Sequence, residues 1–249
     1  MAKRMKNSEK TLQIDILAFG AHPDDVELGC GGSLFKLKKL GYRTGIVDLT
    51  EGELGSRGTV AERYKEAAES AEILEVDERT NLKIPDGQIL NNQENRKKII
   101  RLIRKHQPVL IIAPYPEDRH PDHGNSSRLI TEAWFFSGVK KVLPEIPPHR
   151  PFRVLYYMAK YEFEPSFVMD ITGEFDTKFR ALQAYKSQFY NPEWPEEQTF
   201  ISSRWFMDSV EFRARHFGWM AGVKYGEPFW IREPLALDDP VPIFSRKIL

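Results

Sequence analysis

At 249 residues and 28.9 kDa, with 41% hydrophobic residues, the chain can bury one sizeable core and is too apolar to be disordered. Lysine plus arginine and aspartate plus glutamate each number 36, so the formal net charge is zero and no dominant pull on nucleic acid is expected. The single cysteine, Cys30, excludes an intrachain disulfide and a cysteine-rich zinc ribbon, and no run of about 18 apolar residues predicts a membrane span.

Residues 1–10 are basic, lack the apolar stretch of a secretory signal and read as a loose tail, so a cytoplasmic, soluble protein is expected. Ile14-Asp15-Ile16-Leu17-Ala18-Phe19 is a short apolar run closed by Gly20, the pattern of a buried strand. The run stops on His22, Asp24 and Asp25, with Glu27 close behind, residue types that no hydrophobic core requires. Leu34, Phe35, Leu37 and Leu40 then repeat at helical spacing, with Gly41 as the stop. Open α/β sheets place ligands where a strand hands over to a helix N-terminus. Taken alone, the two aspartates fit a helix cap as well as they fit a site.

A second strand at 44–50 runs into the polar loop Glu51-Gly52-Glu53-Leu54-Gly55-Ser56-Arg57-Gly58. Thr59 and Glu62 form a capping-box pair for a helix reaching about residue 74. A shorter strand at 81–84 ends on the turn Pro85-Asp86-Gly87, a helix spans 93–106, and Val109-Leu110-Ile111-Ile112-Ala113 is the most strand-like run of the chain. This alternation predicts an α/β fold, a Rossmann-like, mostly parallel sheet with helices on both faces. The fourth strand empties into Pro114-Tyr115-Pro116-Glu117-Asp118-Arg119-His120-Pro121-Asp122-His123-Gly124, ahead of a helix at 125–136. In a parallel sheet the loops after the first and fourth strands share one edge, so the two His-Pro-Asp segments meet there. Past a proline-rich connector at 144–151, strands at 152–159 and 167–171 and helices at 175–189 and 202–223 read as a C-terminal elaboration of one domain, 1–249.

His22, Asp25 and one histidine of the second loop make a 2-His-1-carboxylate set, which suits catalytic zinc and equally iron(II). Zinc lowers the pKa of its bound water from about 15.7 to near 7. Asp24 then suits the general base, and the remaining histidine suits oxyanion stabilisation, with Asp122 orienting it.

Ala21-His22-Pro23-Asp24-Asp25 with Glu27, followed by His120-Pro121-Asp122-His123, resembles the LmbE-like (PIG-L) family of zinc-dependent N-acetylglucosamine deacetylases over residues 14–136. Glu117-Asp118-Arg119, Ala184-Tyr185-Lys186-Ser187-Gln188-Phe189 and Gly222-Val223-Lys224-Tyr225-Gly226-Glu227 are similar to its bacillithiol-biosynthesis branch and extend the likeness to nearly the full chain. The resemblance implies His22, Asp25 and His123 as ligands of one Zn2+, Asp24 as base, and His120 as oxyanion-stabilising or acid residue. It also implies deacetylation of N-acetylglucosaminyl malate to glucosaminyl malate plus acetate, substrate contacts at Gln188 and Tyr225, and a trimer or hexamer. Arg57 and Arg119, on loops at the same sheet edge, offer guanidinium forks to the malate carboxylates, with Ser56 as a weaker contact. The plain alternative for either arginine is a surface ion pair, worth little.

Other conspicuous residues have bland readings. His106 complements a helix dipole, and His149 and His216 lack a partner at ligand spacing. Trp205, Phe206, Phe212, Phe217 and Trp219 suit core packing or a subunit contact, and an exposed part of the set would favour a homo-oligomer. The near alternative is a deacetylase of another N-acetylated sugar or thiol conjugate; the rival functions are an iron(II) oxygenase, a silent scaffold, and a dinucleotide-binding module built on Gly29, Gly31 and Gly32. Those glycines lie too far past Gly20 for the tight G-x-G-x-x-G turn. No nucleic-acid or membrane partner is expected.

Overall fold

The computed structural model describes residues 13–194 and 199–245, so the tail expected at 1–10 lies outside the described residues. The apolar runs become a sheet of seven strands. β1 (Ile16–Gly20), β2 (Thr44–Asp48), β3 (Glu78–Asn81), β4 (Leu110–Pro114) and β5 (Arg153–Tyr157) pair in parallel in the order β3-β2-β1-β4-β5. β7 (Gly226–Trp230) runs antiparallel to β5, and β6 (Phe167–Asp170) runs antiparallel to β7. The expected mostly parallel α/β fold is what forms. Chain direction across the sheet reverses between β1 and β4, and the crevice at such a reversal, beyond the strands' C-terminal ends, is where these sheets bind ligands.

Successive residues of β1 point to opposite faces, and both faces are covered. Leu17 and Phe19 pack with Ile99 and Ile103 of α3 (Gln93–His106) and with Leu129 and Ile130 of α4 (Pro121–Ser137). Ile16 and Ala18 pack with Val26 and Leu34 of α1 (Asp25–Lys39) and Ala181 of α5 (Phe175–Gln183). α2 (Val60–Ile73) starts on the expected capping box, Thr59 with Glu62. α6 (Arg204–Met220) and the short α7 (Val241–Phe244) complete the described helices.

The glycines after β1 serve packing. A Cβ on Gly29 would stand 2.0 Å from the Tyr157 ring, so α1 can lie this close to β5 only with glycine there. α1 is interrupted at Cys30, which has non-helical angles (φ −148°, ψ 20°). The amides freed by the break, Gly32 N and Ser33 N, donate to Glu227 Oε1 at 3.1 Å and Oε2 at 2.6 Å. Lys178 Nζ pairs with that carboxylate at 2.5 Å and also donates to Leu28 O at 2.9 Å. A buried ion pair thus replaces one turn of the hydrogen-bond ladder.

Several elements differ from those expected: α4 begins at Pro121, four residues before the expected 125, so Pro121, Asp122 and His123 form its first turn behind the His120 N-cap. The third strand is Glu78–Asn81, not 81–84, because this edge strand is polar and half-buried and uses its charges: Arg79 reaches Glu27 and Asp48, and Glu78 reaches Lys105. α5 ends at Gln183 instead of 189, where Glu66 draws the Ser187 amide and hydroxyl off the helix path, each at 2.7 Å. No strand was expected at 226–230; β7 forms there with Pro228 opposite Val168 of β6.

Candidate active site

β1 and β4 deliver the two His-Pro-Asp segments to one cleft of about 670 Å³. Gly20 makes the first turn possible: a Cβ there would lie 2.9 Å from His22 O and 3.0 Å from the Asp25 Cβ. Asp24, at the N-cap of α1, has φ 118° and ψ −23°, a conformation that favours glycine, and its side chain makes no cap hydrogen bond. Arg63 of α2 holds it instead, donating from Nη1 to Pro23 O at 2.6 Å and to Asp24 Oδ2 at 2.8 Å. Asp24 and Asp25 therefore face different partners, as a split of duties requires.

Asp25 accepts from the His22 amide at 2.9 Å and lies 3.5 Å from His22 Nδ1, while its other oxygen lies 3.1 Å from His123 Nε2. Donor atoms of His22, Asp25 and His123 all fall within 4.8 Å of one another. Ligands on a tetrahedral ion with bonds of about 2.0–2.1 Å stand about 3.3 Å apart, so these separations fit one zinc-like cation. A second group, His22, His120 and Asp122, lies within the same span. Asp118 Oδ1 takes His123 Nδ1 at 2.8 Å, leaving Nε2 directed at Asp25, a brace particular to the first group; Asp86 Oδ1 lies 3.0 Å from Nε2 of His22, which the two groups share.

The electrostatics follow this geometry. Burial pushes the Asp24 carboxyl up to about 7 although Arg63 pulls it down. Burial also acts to raise Asp25, but the charge and hydrogen bond of His123 win and hold it well below the ordinary range. His123 resists burial and is raised to about 10 by Asp25 and Asp118. His120 is lowered by burial and then by its neighbours His22 and His123, which favours the neutral ring. The Asp122 amide donates to His120 Nδ1 at 3.2 Å. A neutral ring accepting at Nδ1 carries its proton on Nε2.

Nearly all residues expected at the site line this cleft: His22, Asp24, Asp25, His120 and His123 at its base, with Ser56, Arg57, Arg119 and Gln188 around them. Arg57 is only 5% exposed, and its Nε and Nη2 are buried without a hydrogen-bond partner among the described residues. Arg119 is exposed and lies against the Phe200 ring at 5.8 Å. Gln188 spends its amide on Arg57 O and Ser187 Oγ, each at 2.8 Å.

Two residues are placed differently from expectation. Asp122 orients His120 through its backbone amide, because its carboxylate is already taken by Gly87 N at 2.8 Å and lies 3.5 Å from His22 Nε2. Tyr225 does not line the cleft; it stacks on Phe175 at 4.0 Å and donates to Glu211 at 2.9 Å. Arg63, Asp86 and Asp118 were not singled out from sequence. Only Asp118 carried a usable signal, its position five residues before His123 in the same polar segment. His216, read as lacking a partner, also lines the cleft.

Comparisons with known proteins place the sequence and the fold. The PIG-L family model, described as GlcNAc-PI de-N-acetylase, matches residues 17–134. A conserved protein of Thermus thermophilus, known as a crystal structure, is 39% identical and superposes with a TM-score of 0.83 over 94% of this chain and 100% of its own. Diacetylchitobiose deacetylase of Thermococcus kodakarensis is 29% identical over 227 residues, 85% of this chain and 80% of its own. The 4-oxalmesaconate hydratase of Pseudomonas putida is 25% identical over 210 residues, 74% of this chain and 78% of its own. With a family match that runs from β1 into α4 and takes in both His-Pro-Asp segments, and a Thermus relative alike almost end to end, this chain belongs to the PIG-L, LmbE-like family of de-N-acetylases.

Proposed function

We propose that the protein is a zinc-dependent, or other divalent-metal-dependent, amide hydrolase of bacillithiol biosynthesis that converts N-acetylglucosaminyl malate to glucosaminyl malate and acetate. One observation carries the reading: Asp24, the His22–Asp25–His123 donors and His120 converge in the cleft that also holds Arg57, whose Nε and Nη2 have no hydrogen-bond partner among the described residues while its guanidinium lies 5.5 Å from the Trp194 ring. A cation held by the three donors would polarise an amide carbonyl and make water more acidic.

The chain's own groups supply the rest. Asp24, fixed by Arg63, takes a proton from the attacking water and returns it to the departing amine, a role typically worth ~10²–10⁴-fold. His120 presents Nε2–H to the oxygen that gains negative charge, and losing such a donor costs roughly 10²–10³-fold. Arg57 receives a malate carboxylate, since its buried Nε and Nη2 are without a partner among the described residues and such groups are costly. Arg119, exposed at the rim, is left for the second carboxylate.

Hydration is the rival reaction, because one relative is a hydratase. The deciding assay measures acetate and primary amine released from N-acetylglucosaminyl malate, beside N-acetylglucosamine, with and without added zinc. Zinc-dependent release of both products, faster from the malate conjugate, is expected. Hydration of an unsaturated dicarboxylate without any amide cleavage would overturn the reading, and equal rates on the two amides would overturn the malate assignment.

A further inference from the structure

Arg57 lies in a loop with little stiffness of its own. Residues 51–58 contain three glycines, and Gly52 and Gly58 have φ of 69° and 71°, a region that favours glycine. Two attachments fix the loop. At its front, Leu54 N donates to Asp86 Oδ2 at 3.0 Å, and Asp86 N donates to Glu53 Oε1 at 2.8 Å. At its back stands a relay from another part of the chain. Glu66 of α2 accepts from the Ser187 amide and hydroxyl, Ser187 Oγ accepts from Gln188 Nε2, and the same Nε2 donates to Arg57 O. An ionised carboxylate only accepts, so Glu66 takes the Ser187 hydrogen and leaves the oxygen's lone pairs for Gln188. The Gln188 amide is thereby turned to offer N–H, not its oxygen, to the Arg57 carbonyl. All three relay residues are buried. Gly58 lets the loop come this close, since a Cβ there would lie 2.7 Å from Ser187 Oγ. At the far end of the side chain, the Arg57 guanidinium lies 5.5 Å from the Trp194 ring.

We infer that Glu66, Ser187 and Gln188 are positioning residues that set the preference for anionic conjugates, by holding the root of Arg57 so that its Nε and Nη2 are aimed before a carboxylate arrives. The inference rests on the assignment of Arg57 to a substrate carboxylate above. A fork fixed in advance loses little freedom on binding, whereas a released one loses that freedom again with each substrate. Gln188 acts through Arg57 instead of touching the substrate itself.

The test measures kcat and KM of the zinc-loaded enzyme on N-acetylglucosaminyl malate and on methyl N-acetylglucosaminide, which has the amide but no carboxylate. The readout is the ratio of the two kcat/KM values in wild type, Arg57→Met, Gln188→Met, Ser187→Ala and the double variant Arg57→Met with Gln188→Met. Ser187→Ala keeps the amide bond to Glu66, so it interrupts the relay without releasing the segment. Arg57→Met should lower the ratio roughly 10–100-fold, the scale of a hydrogen bond to a charged group. Gln188→Met and Ser187→Ala should each lower it roughly 2–10-fold, through KM for the malate conjugate, the scale of one side chain set free. In the double variant the Gln188 change should add nothing, because the fork it positions is gone. A wild-type ratio in both Gln188→Met and Ser187→Ala would overturn the inference, as would an equal loss on the two substrates. A Gln188 effect that persists undiminished without Arg57 would overturn it by making Gln188 a substrate contact in its own right. A wild-type ratio in Arg57→Met would remove the carboxylate assignment and this inference together, with deacetylation left standing. Release of amine from neither compound would sink the deacetylase reading itself.

Discussion

Arg63→Met removes the guanidinium that donates to Pro23 O at 2.6 Å and to Asp24 Oδ2 at 2.8 Å. Arg63 and Asp24 are both buried, so the carboxylate is left beside Asp25 and Glu27 without its own cation. Burial already pushes Asp24 up to about 7 against the pull of Arg63, and removing that pull moves it higher. A general base works only when ionised, so the acid limb of the kcat profile shifts to higher pH. Each further unit costs about tenfold in ionised base near neutrality. Stability changes as well. Breaking a buried ion pair by removing one partner costs about 3–5 kcal/mol where the survivor stays charged, and less where it can take up a proton. Asp24 ionises at higher pH folded than unfolded, so the folded state keeps the extra proton and stability falls as pH rises between the two values. In the variant that window widens and the fall is larger. Kinetic pH profiles and thermal melts of wild type, Arg63→Met, Arg63→Lys and Arg63→Met with Asp24→Asn test each step. Arg63→Lys should lie between wild type and Arg63→Met, and the double variant should regain melting temperature without turnover. An unshifted acid limb with undiminished kcat in Arg63→Met would remove Asp24 from the role of base.

Other consequences can be checked separately. Asp118→Ala frees His123 Nδ1 from its 2.8 Å brace, and metal affinity should fall roughly 10–100-fold in a competition titration; unchanged affinity would mean that the brace is idle. His123 is raised to about 10, outweighing burial, so the metal-free protein carries an imidazolium there at neutral pH. His22 is likewise raised well above its ordinary value, against burial, by its hydrogen bonds to Asp122, Asp25 and Asp86. Zinc uptake in weak buffer should therefore release about two protons, with affinity falling about a hundredfold per pH unit on acidification. Asp24→Ala should keep the metal and lose turnover by ~10²–10⁴-fold, whereas His123→Ala should lose the metal itself by elemental analysis. Gly29→Ala places a methyl 2.0 Å from the Tyr157 ring carbons, and the melting transition should reflect at least about 1–3 kcal/mol of overpacking.

Sequence made the sheet and the meeting of the two segments legible for a definite reason. β1 and β4 are continuous apolar runs because both of their faces are covered, and a parallel sheet sends both following loops to one edge. Position in that topology, not residue type alone, turns His22, Asp25 and His123 into a set. What stayed hidden is whatever acts across elements from an ordinary-looking position. Arg63 reads as a charge on a helix, Asp86 as a turn former and Glu227 only as the end of a stretch that carries a resemblance, yet they hold Asp24, His22 and the break in α1 respectively. β3 was misplaced for a related reason: its charges look like loop composition until Glu27 and Asp48 are seen to need Arg79. Glu27 makes the same point from inside the first segment. Fully buried, it takes Arg79, Ser70 and Tyr185 on a single oxygen at 2.6, 2.8 and 2.9 Å, so it anchors the start of α1 instead of facing substrate. The acidic residues of the first segment thus divide by direction, Asp25 to the donors, Asp24 to the cleft and Glu27 to the interior, and that division follows from one tight turn at Gly20 and one unusual φ at Asp24.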